Sequence, residues 1–179
     1  MKWILVLIVS ITIPAGVFSQ EKLSPVEAFE QSWLHQKIDA SMLPPKDLYG
    51  KTINYQQANM LILGFYACIP CRKQLPHIIN FALTHPEETF IYLTYDDKAT
   101  IEKELSTTNY AQIKRNFYIL HVDKIALDAS RLANFGYPMK YFFDEENIVR
   151  AIDSYTDLRT SPEDMYARWL QMFSVTKSK

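Results

Sequence analysis

The sequence has no dense block of lysine and arginine. Its 19 Lys and Arg are set against 20 Asp and Glu, for a formal net charge of −1. Non-specific binding to nucleic acid needs a basic face, so that class is set aside. There is no internal repeat and no low-complexity tract. There are only 2 cysteines, too few for a small scaffold built on disulfides. What remains is a globular composition, 48% hydrophobic and 22% charged over 179 residues, enough for one domain with a core.

The first residues read as an address rather than as part of the fold. Lys2 gives a positive start, Trp3 to Ile13 is an apolar run, and Pro14 and Gly16 end it ahead of Val17-Phe18-Ser19. This is the layout of a cleavable secretory signal, with the mature chain beginning near Gln20. The competing reading is a retained anchor, for which the run is short against ~30 Å of hydrocarbon. No cysteine follows the run, which argues against a lipoprotein anchor. The expected organisation is a signal over 1–19, an N-terminal helical extension over 20–45 and one domain over 46–175.

Ser24-Pro25-Val26-Glu27 forms a helix start with a capping box, and Phe29, Trp33, Leu34 and Ile38 fall near one face of a helix that Pro44-Pro45 would stop. Leu48 to Ile53 reads as a short hairpin around Gly50. Met60 to Tyr66 is a nearly continuous apolar run, as suits a buried central strand. Helical periodicity follows over Arg72 to Leu83, with Pro76 inside it as a kink. Strands are expected over Thr89 to Tyr95 and Phe117 to Val122. Helices are expected over Lys98 to about Leu105 and over Ala126 to Phe135, with Tyr110 to Asn116 helical or irregular. Lys140 to Phe143 and Ile148 to Ile152 form a hairpin, and a last helix runs from Ser161-Pro162 to about Phe173. Alternating strands and helices imply an α/β fold with a parallel-centred sheet finished by an antiparallel hairpin.

The two cysteines form one pair, Cys68-Ile69-Pro70-Cys71. A two-residue spacing closes too small a loop to restrain the unfolded chain, so a structural staple explains it poorly. A strand leading straight into a cysteine pair that opens a helix has a chemical use. Cys68 would sit at the helix N-terminus, where free N–H groups and the helix dipole stabilise a thiolate, and Cys71 lies one turn behind to resolve a mixed disulfide. Arg72 and Lys73 add positive charge. A zinc half-site joined by His77 or His85 lacks a second cysteine pair. A c-type haem needs His where Arg72 stands. An idle pair stays open as a third alternative. His35, His77, His85 and His121 are given no role, and the strand aromatics Tyr92, Tyr95, Tyr141, Phe142 and Phe143 are read as core.

The run from Met60 to Pro76, MLILGFYACIPCRKQLP, resembles the active-site strand and helix of TlpA/ResA-like thioredoxin proteins. Asp47-Leu48-Tyr49-Gly50-Lys51-Thr52-Ile53 resembles that family's opening hairpin. Gly136-Tyr137-Pro138-Met139-Lys140-Tyr141-Phe142-Phe143-Asp144 resembles its Gly-hydrophobic-Pro segment and the next strand, and Glu146-Asn147-Ile148-Val149 its last turn and strand. The resemblance implies a thioredoxin-like fold, a central mixed β-sheet flanked by helices with an N-terminal helical extension. It implies catalytic Cys68 and Cys71, and a cis Pro138 facing them. Tyr137 and Pro138, with Ile69 and Pro70, would meet the substrate.

The activity implied is thiol–disulfide exchange with protein thiols and disulfides in the periplasm or cell envelope, served by a further redox partner. Reduction is the family's expectation and oxidation the runner-up. The redox-active disulfide serves in place of any cofactor, and membrane association follows only if the signal is retained. A binding module of the same fold, holding a partner without turnover, is the alternative. Two departures stand out beside Ala67, which replaces the Trp common before the first cysteine. Gln74 occupies the place where ResA-like reductases carry an acid, and Leu61-Ile62-Leu63-Gly64 lacks the buried Asp of thioredoxins. A carboxylate there would act as base for the resolving thiol; without one, Cys71 must lose its proton to water, substrate or another group.

Overall fold

The computed structural model describes residues 23–177 apart from 40, 42, 114, 131, 133–135 and 155–158. The segment read as a signal lies outside the described residues, as does most of the end of the helix expected to reach Phe135. Among the described residues, six α-helices and five β-strands follow in order, with one 3-10 turn at Tyr55–Gln57 ahead of the first strand. They are α1 (Pro25–Trp33), β1 (Ala58–Leu63), α2 (Ile69–Thr84), β2 (Thr89–Thr94), α3 (Lys98–Leu105) and α4 (Tyr110–Ile113). Then come β3 (Phe117–His121), α5 (Lys124–Ala129), β4 (Met139–Phe143), β5 (Val149–Asp153) and α6 (Pro162–Lys177).

The sheet order is β3-β2-β1-β4-β5. β1, β2 and β3 run parallel, and β4 and β5 are antiparallel, so the sheet is mixed. β1 is central, which is why Met60 to Leu63 are all buried and why the segment reads as a continuous apolar run. Alternation along the strands sends two sets of side chains to opposite faces. Met60, Ile62, Phe90, Tyr92, Phe117 and Phe142 pack against α2, α3 and α6, with Phe81 of α2 meeting Trp169 of α6 edge-on at 5.3 Å. Leu61, Leu63, Ile91, Leu93, Tyr141 and Val149 pack against Phe29 of α1 and Leu127 of α5.

Two expectations about the segment before β1 are corrected. α1 ends at Trp33, about ten residues short of Pro44-Pro45. His35 takes a φ of 67°, and the chain then lies along the start of β5. The His35 N–H donates to Val149 O at 2.8 Å, Val149 N–H to Gln36 O at 2.9 Å, and Ile38 N–H to Asn147 O at 3.2 Å. Backbone pairing with the edge outweighs the local helical pattern. The expected hairpin around Gly50 is a tight turn with a single bridge, Lys46 to Thr52. Asp47 Oδ1 accepts from Tyr49 N–H and Lys51 N–H, and Leu48 N–H donates to Ile119 O of β3 at 2.7 Å. Chain that precedes β1 thus hydrogen-bonds to both edge strands, at Ile119 of β3 and around Val149 of β5, and covers part of each rim.

Candidate active site

β1 ends at Leu63, and five residues later Cys68 caps α2. Cys68 and Cys71 are joined as a disulfide. Cys68 Sγ also accepts the Cys71 N–H at 3.2 Å, which makes the sulfur the N-cap group of a 16-residue helix. Such a position favours negative charge on that sulfur once the bond is reduced. The two sulfurs differ in access. Cys71 is buried, whereas Cys68 is half-exposed between Ala67 and Ile69, both of which face solvent. Pro70 lies in the first turn of α2 and Pro76 within the helix, which continues through it to Thr84.

Pro138 comes from the other side of the sheet. Antiparallel register pairs Met139 with Leu63, which sets Pro138 beside Gly64 at the end of β1 where the cysteine loop starts. The Tyr137–Pro138 bond is cis. Tyr137 is tied to the loop through Phe65: the two rings meet edge-on at 4.7 Å, and Phe65 stacks on Tyr95 at 4.8 Å. Burial is the main reason the Tyr137 hydroxyl is pushed up to about 12, with Asp128 and Tyr95 adding to it. The structure therefore gathers Cys68, Cys71, Ile69, Pro70, Tyr137 and Pro138 at one end of the sheet.

A polar floor lies beneath this loop, and its residues carry no signal in the cysteine motif. Asp96 Oδ2 accepts from Tyr66 N–H at 2.6 Å and from Thr94 Oγ1 at 3.0 Å, fixing the loop from below. The Tyr92 side chain rises from β2 under Gly64. A Cβ on Gly64 would stand 2.5 Å from Tyr92 Oη, so only glycine fits there. The Tyr92 hydroxyl is buried and has no hydrogen-bond partner among the described residues, and neither have the two carboxylate oxygens of Glu104 on α3. Burial, then the charges of Glu104 and Asp96, push the Tyr92 hydroxyl far above its ordinary range. Burial, then the charge of Asp96, raises the Glu104 carboxyl to about 7 against the opposing pull of Arg72. Arg72 is exposed to solvent, with its guanidinium over the Tyr66 ring at 4.9 Å. Gln74, the departure noted in the sequence, is buried on α2. No cluster of His, Cys, Asp and Glu able to hold a metal occurs among the described residues.

No protein-family model matches the chain, and no curated protein matches it. Solved structures do. A secreted disulfide oxidoreductase of Mycobacterium tuberculosis, homologous to E. coli DsbE, superposes with a TM-score of 0.54 at 17% identity over 75% of this chain and 99% of that one. A thiol:disulfide interchange protein of the thioredoxin family from Chlorobium tepidum gives 0.52 at 14% identity over 72% and 90%. A thiol:disulfide interchange protein from Bacteroides sp. gives 0.50 at 17% identity over 76% and 88%. With a mixed five-stranded sheet flanked by helices and a cysteine pair opening the helix after the central strand, this chain has the thioredoxin-like fold.

Proposed function

We propose that the chain is an exported thiol–disulfide oxidoreductase that exchanges its Cys68–Cys71 dithiol or disulfide with protein cysteines, working as a reductant. The observation that carries the reading is the asymmetry of the pair: Cys68 is accessible at the N-terminus of α2 and Cys71 is buried one turn inside. An accessible sulfur stabilised as a thiolate attacks, and a shielded one resolves. The redox group is the cysteine pair itself, and the reaction calls for no other cofactor. Exposed Ile69 and half-buried Tyr137 and Pro70 form the surface a substrate peptide would meet, with Pro138 buried behind Tyr137. Backbone pairing along such an edge asks little of the partner's sequence, which suits an enzyme acting on several proteins.

Export rests on Lys2, the apolar run from Trp3 to Ile13 and the small Ser19, supported by the secreted Mycobacterium protein of the same fold. No helix among the described residues is long and apolar enough to cross a membrane. N-terminal sequencing of the protein recovered from the cell envelope should begin near Gln20; an intact Met1 on a membrane-embedded product would indicate an anchor. The reductant direction predicts a reduction potential near the thioredoxin end, about −270 mV, and one near −120 mV would make it an oxidant. The activity is tested by Cys71→Ser, which should leave Cys68 joined to substrate as a mixed disulfide identifiable by mass. A Cys71→Ser protein that forms none, while Cys68 alkylates freely, would favour a binding role for the same fold.

A further inference from the structure

Asp96 reaches the cysteine turn from the end of β2, and the sheet aims its carboxylate. Thr94, the last residue of β2, is fully buried. Its hydroxyl donates to Asp96 Oδ2 at 3.0 Å and accepts the Asp96 N–H at 3.1 Å, a closed ring that holds the side chain in one direction. His121, the last residue of β3, donates from Nδ1 to Asp96 O at 2.8 Å. Anchored in this way to two strands, Asp96 Oδ2 accepts the Tyr66 N–H at 2.6 Å. Tyr66 lies inside the turn that the Cys68 N–H closes on Phe65 O at 3.1 Å. One carboxylate oxygen thus takes a hydroxyl and a backbone donor, and hydrogen bonds to an ionised acceptor are the strong ones.

The same oxygen lies close to the attacking sulfur. Tyr66 and Cys68 are two residues apart, so at most ~7 Å of chain separates their backbones. The charge of Asp96 therefore acts on Cys68 over a distance on the order of one Debye length. Other charges reach this turn from the elements around it. Arg72 on α2 stands over the Tyr66 ring, Asp97 caps α3, Glu104 lies further along α3, and His121 ends β3. Among the described residues, Asp96 is the acid whose side chain bonds to the turn itself.

Two effects on Cys68 follow. The hydrogen bond holds the turn that carries the sulfur. The negative charge disfavours a thiolate there, against the pull of the helix N-terminus. A less stable thiolate makes the reduced pair less stable relative to the disulfide, which lowers the reduction potential. We propose that Asp96 is a positioning residue for the exchange reaction, holding Cys68 in its attacking place and keeping the Cys68–Cys71 pair reducing. It acts through the Tyr66 backbone and through its charge. The exchange reading is its premise, and a low potential is what that reading asks of a reductant.

The test is the equilibrium of the full chain with dithiothreitol at neutral pH. The Cys68–Cys71 disulfide gains two electrons and two protons as dithiothreitol closes to its cyclic disulfide, and the ratio of the two protein forms gives the potential. Asp96→Asn keeps the shape and an acceptor oxygen but drops the charge. It should shift the equilibrium toward the dithiol about three- to tenfold, or about 15–30 mV. The pH midpoint of Cys68 alkylation should move downward with it. Asp96→Ala drops the tether as well, so its single-turnover reduction of insulin should slow about tenfold or more, and Asp96→Asn should recover part of that rate. An Asp96→Asn protein with the potential and alkylation midpoint of the parent overturns the proposal, and so does an Asp96→Ala protein that reduces insulin at the parent rate. Should Asp96→Ala fail to fold, the Asp96→Asn potential decides alone. A potential that shifts in a protein unable to reduce insulin would uphold the hold of Asp96 on the pair and refute the exchange reading.

Discussion

Two carboxylates are buried in this fold under opposite terms. Asp153, at the end of β5, is surrounded by donors: Lys140 Nζ at 3.0 Å, Arg168 Nη2 at 3.4 Å and the Trp169 indole N–H at 2.8 Å. Burial pushes its carboxyl up, but Lys140, Trp169 and Arg168 together outweigh that and hold it below its ordinary 3.8. Glu104 has no such partners among the described residues, and its carboxyl moves the other way, to about 7. A carboxylate whose charge is fully answered behaves as a fixed strut between β4, β5 and α6. One whose charge is left unanswered keeps a proton up to neutral pH. The first lies under the far helix; the second feels the charges of Asp96 and Arg72.

The comparison breaks most visibly at Asp153. Lys140 is fully buried in the strand next to β1, so Asp153→Ala would strand its charge. The expected loss is about 3–5 kcal/mol in denaturant unfolding, whereas Lys140→Met with Asp153→Leu should recover much of it. A small effect of Asp153→Ala would mean that Lys140 finds water or another partner. The next largest effect is at the floor of the loop. Gly64→Ala places a methyl 2.5 Å from Tyr92 Oη, and overpacking of this kind costs about 1–3 kcal/mol. Adding Tyr92→Phe removes the nearest atom and should restore part of the stability; no restoration would place the strain in the backbone instead.

The smallest effect sharpens the contrast, because the two acids should respond to pH with opposite sign. The Asp153 carboxyl is lowered in the folded state, so its contribution is present above 3.8 and is lost as the pH falls through the folded value. The Glu104 carboxyl is raised from 4.5 to about 7, so the unfolded chain ionises first and stability falls as pH rises between those values. Glu104 is half-exposed as a residue, which discounts the shift. Glu104→Gln should gain about 1 kcal/mol over the parent at pH 8 and nothing at pH 4, read from thermal or urea unfolding. Equal stability at both pH values would mean Glu104 titrates as a surface carboxylate.

The cysteine site was legible because its chemistry is contiguous: the apolar run of β1, the pair and the helical spacing after it sit within Met60 to Pro76. Strand β4 and its hairpin partner were legible from short β-rich runs around a turn. Glu104 was not, since it stands beside Glu102 and Lys103 in a segment that reads as a solvated helix face. Which of these acids turns inward depends on how Ile101 and Leu105 seat α3 on the sheet. The spacing from Ile101 was the one available hint. Lys140 looked like an ordinary strand residue because its partners, Asp153 and the Trp169 ring, lie 13 and 29 positions further along the chain. The early end of α1 was invisible for a related reason: residues 35–38 are claimed by hydrogen bonds to the chain around Val149.

The central claim is that Cys68–Cys71 turns over as an exchange site in a thioredoxin-like fold. The most direct measurement is the rate at which dithiothreitol reduces insulin disulfides with a catalytic amount of the full chain present. The account predicts a rate well above background that falls to background in Cys68→Ser. A native protein no faster than Cys68→Ser would contradict it.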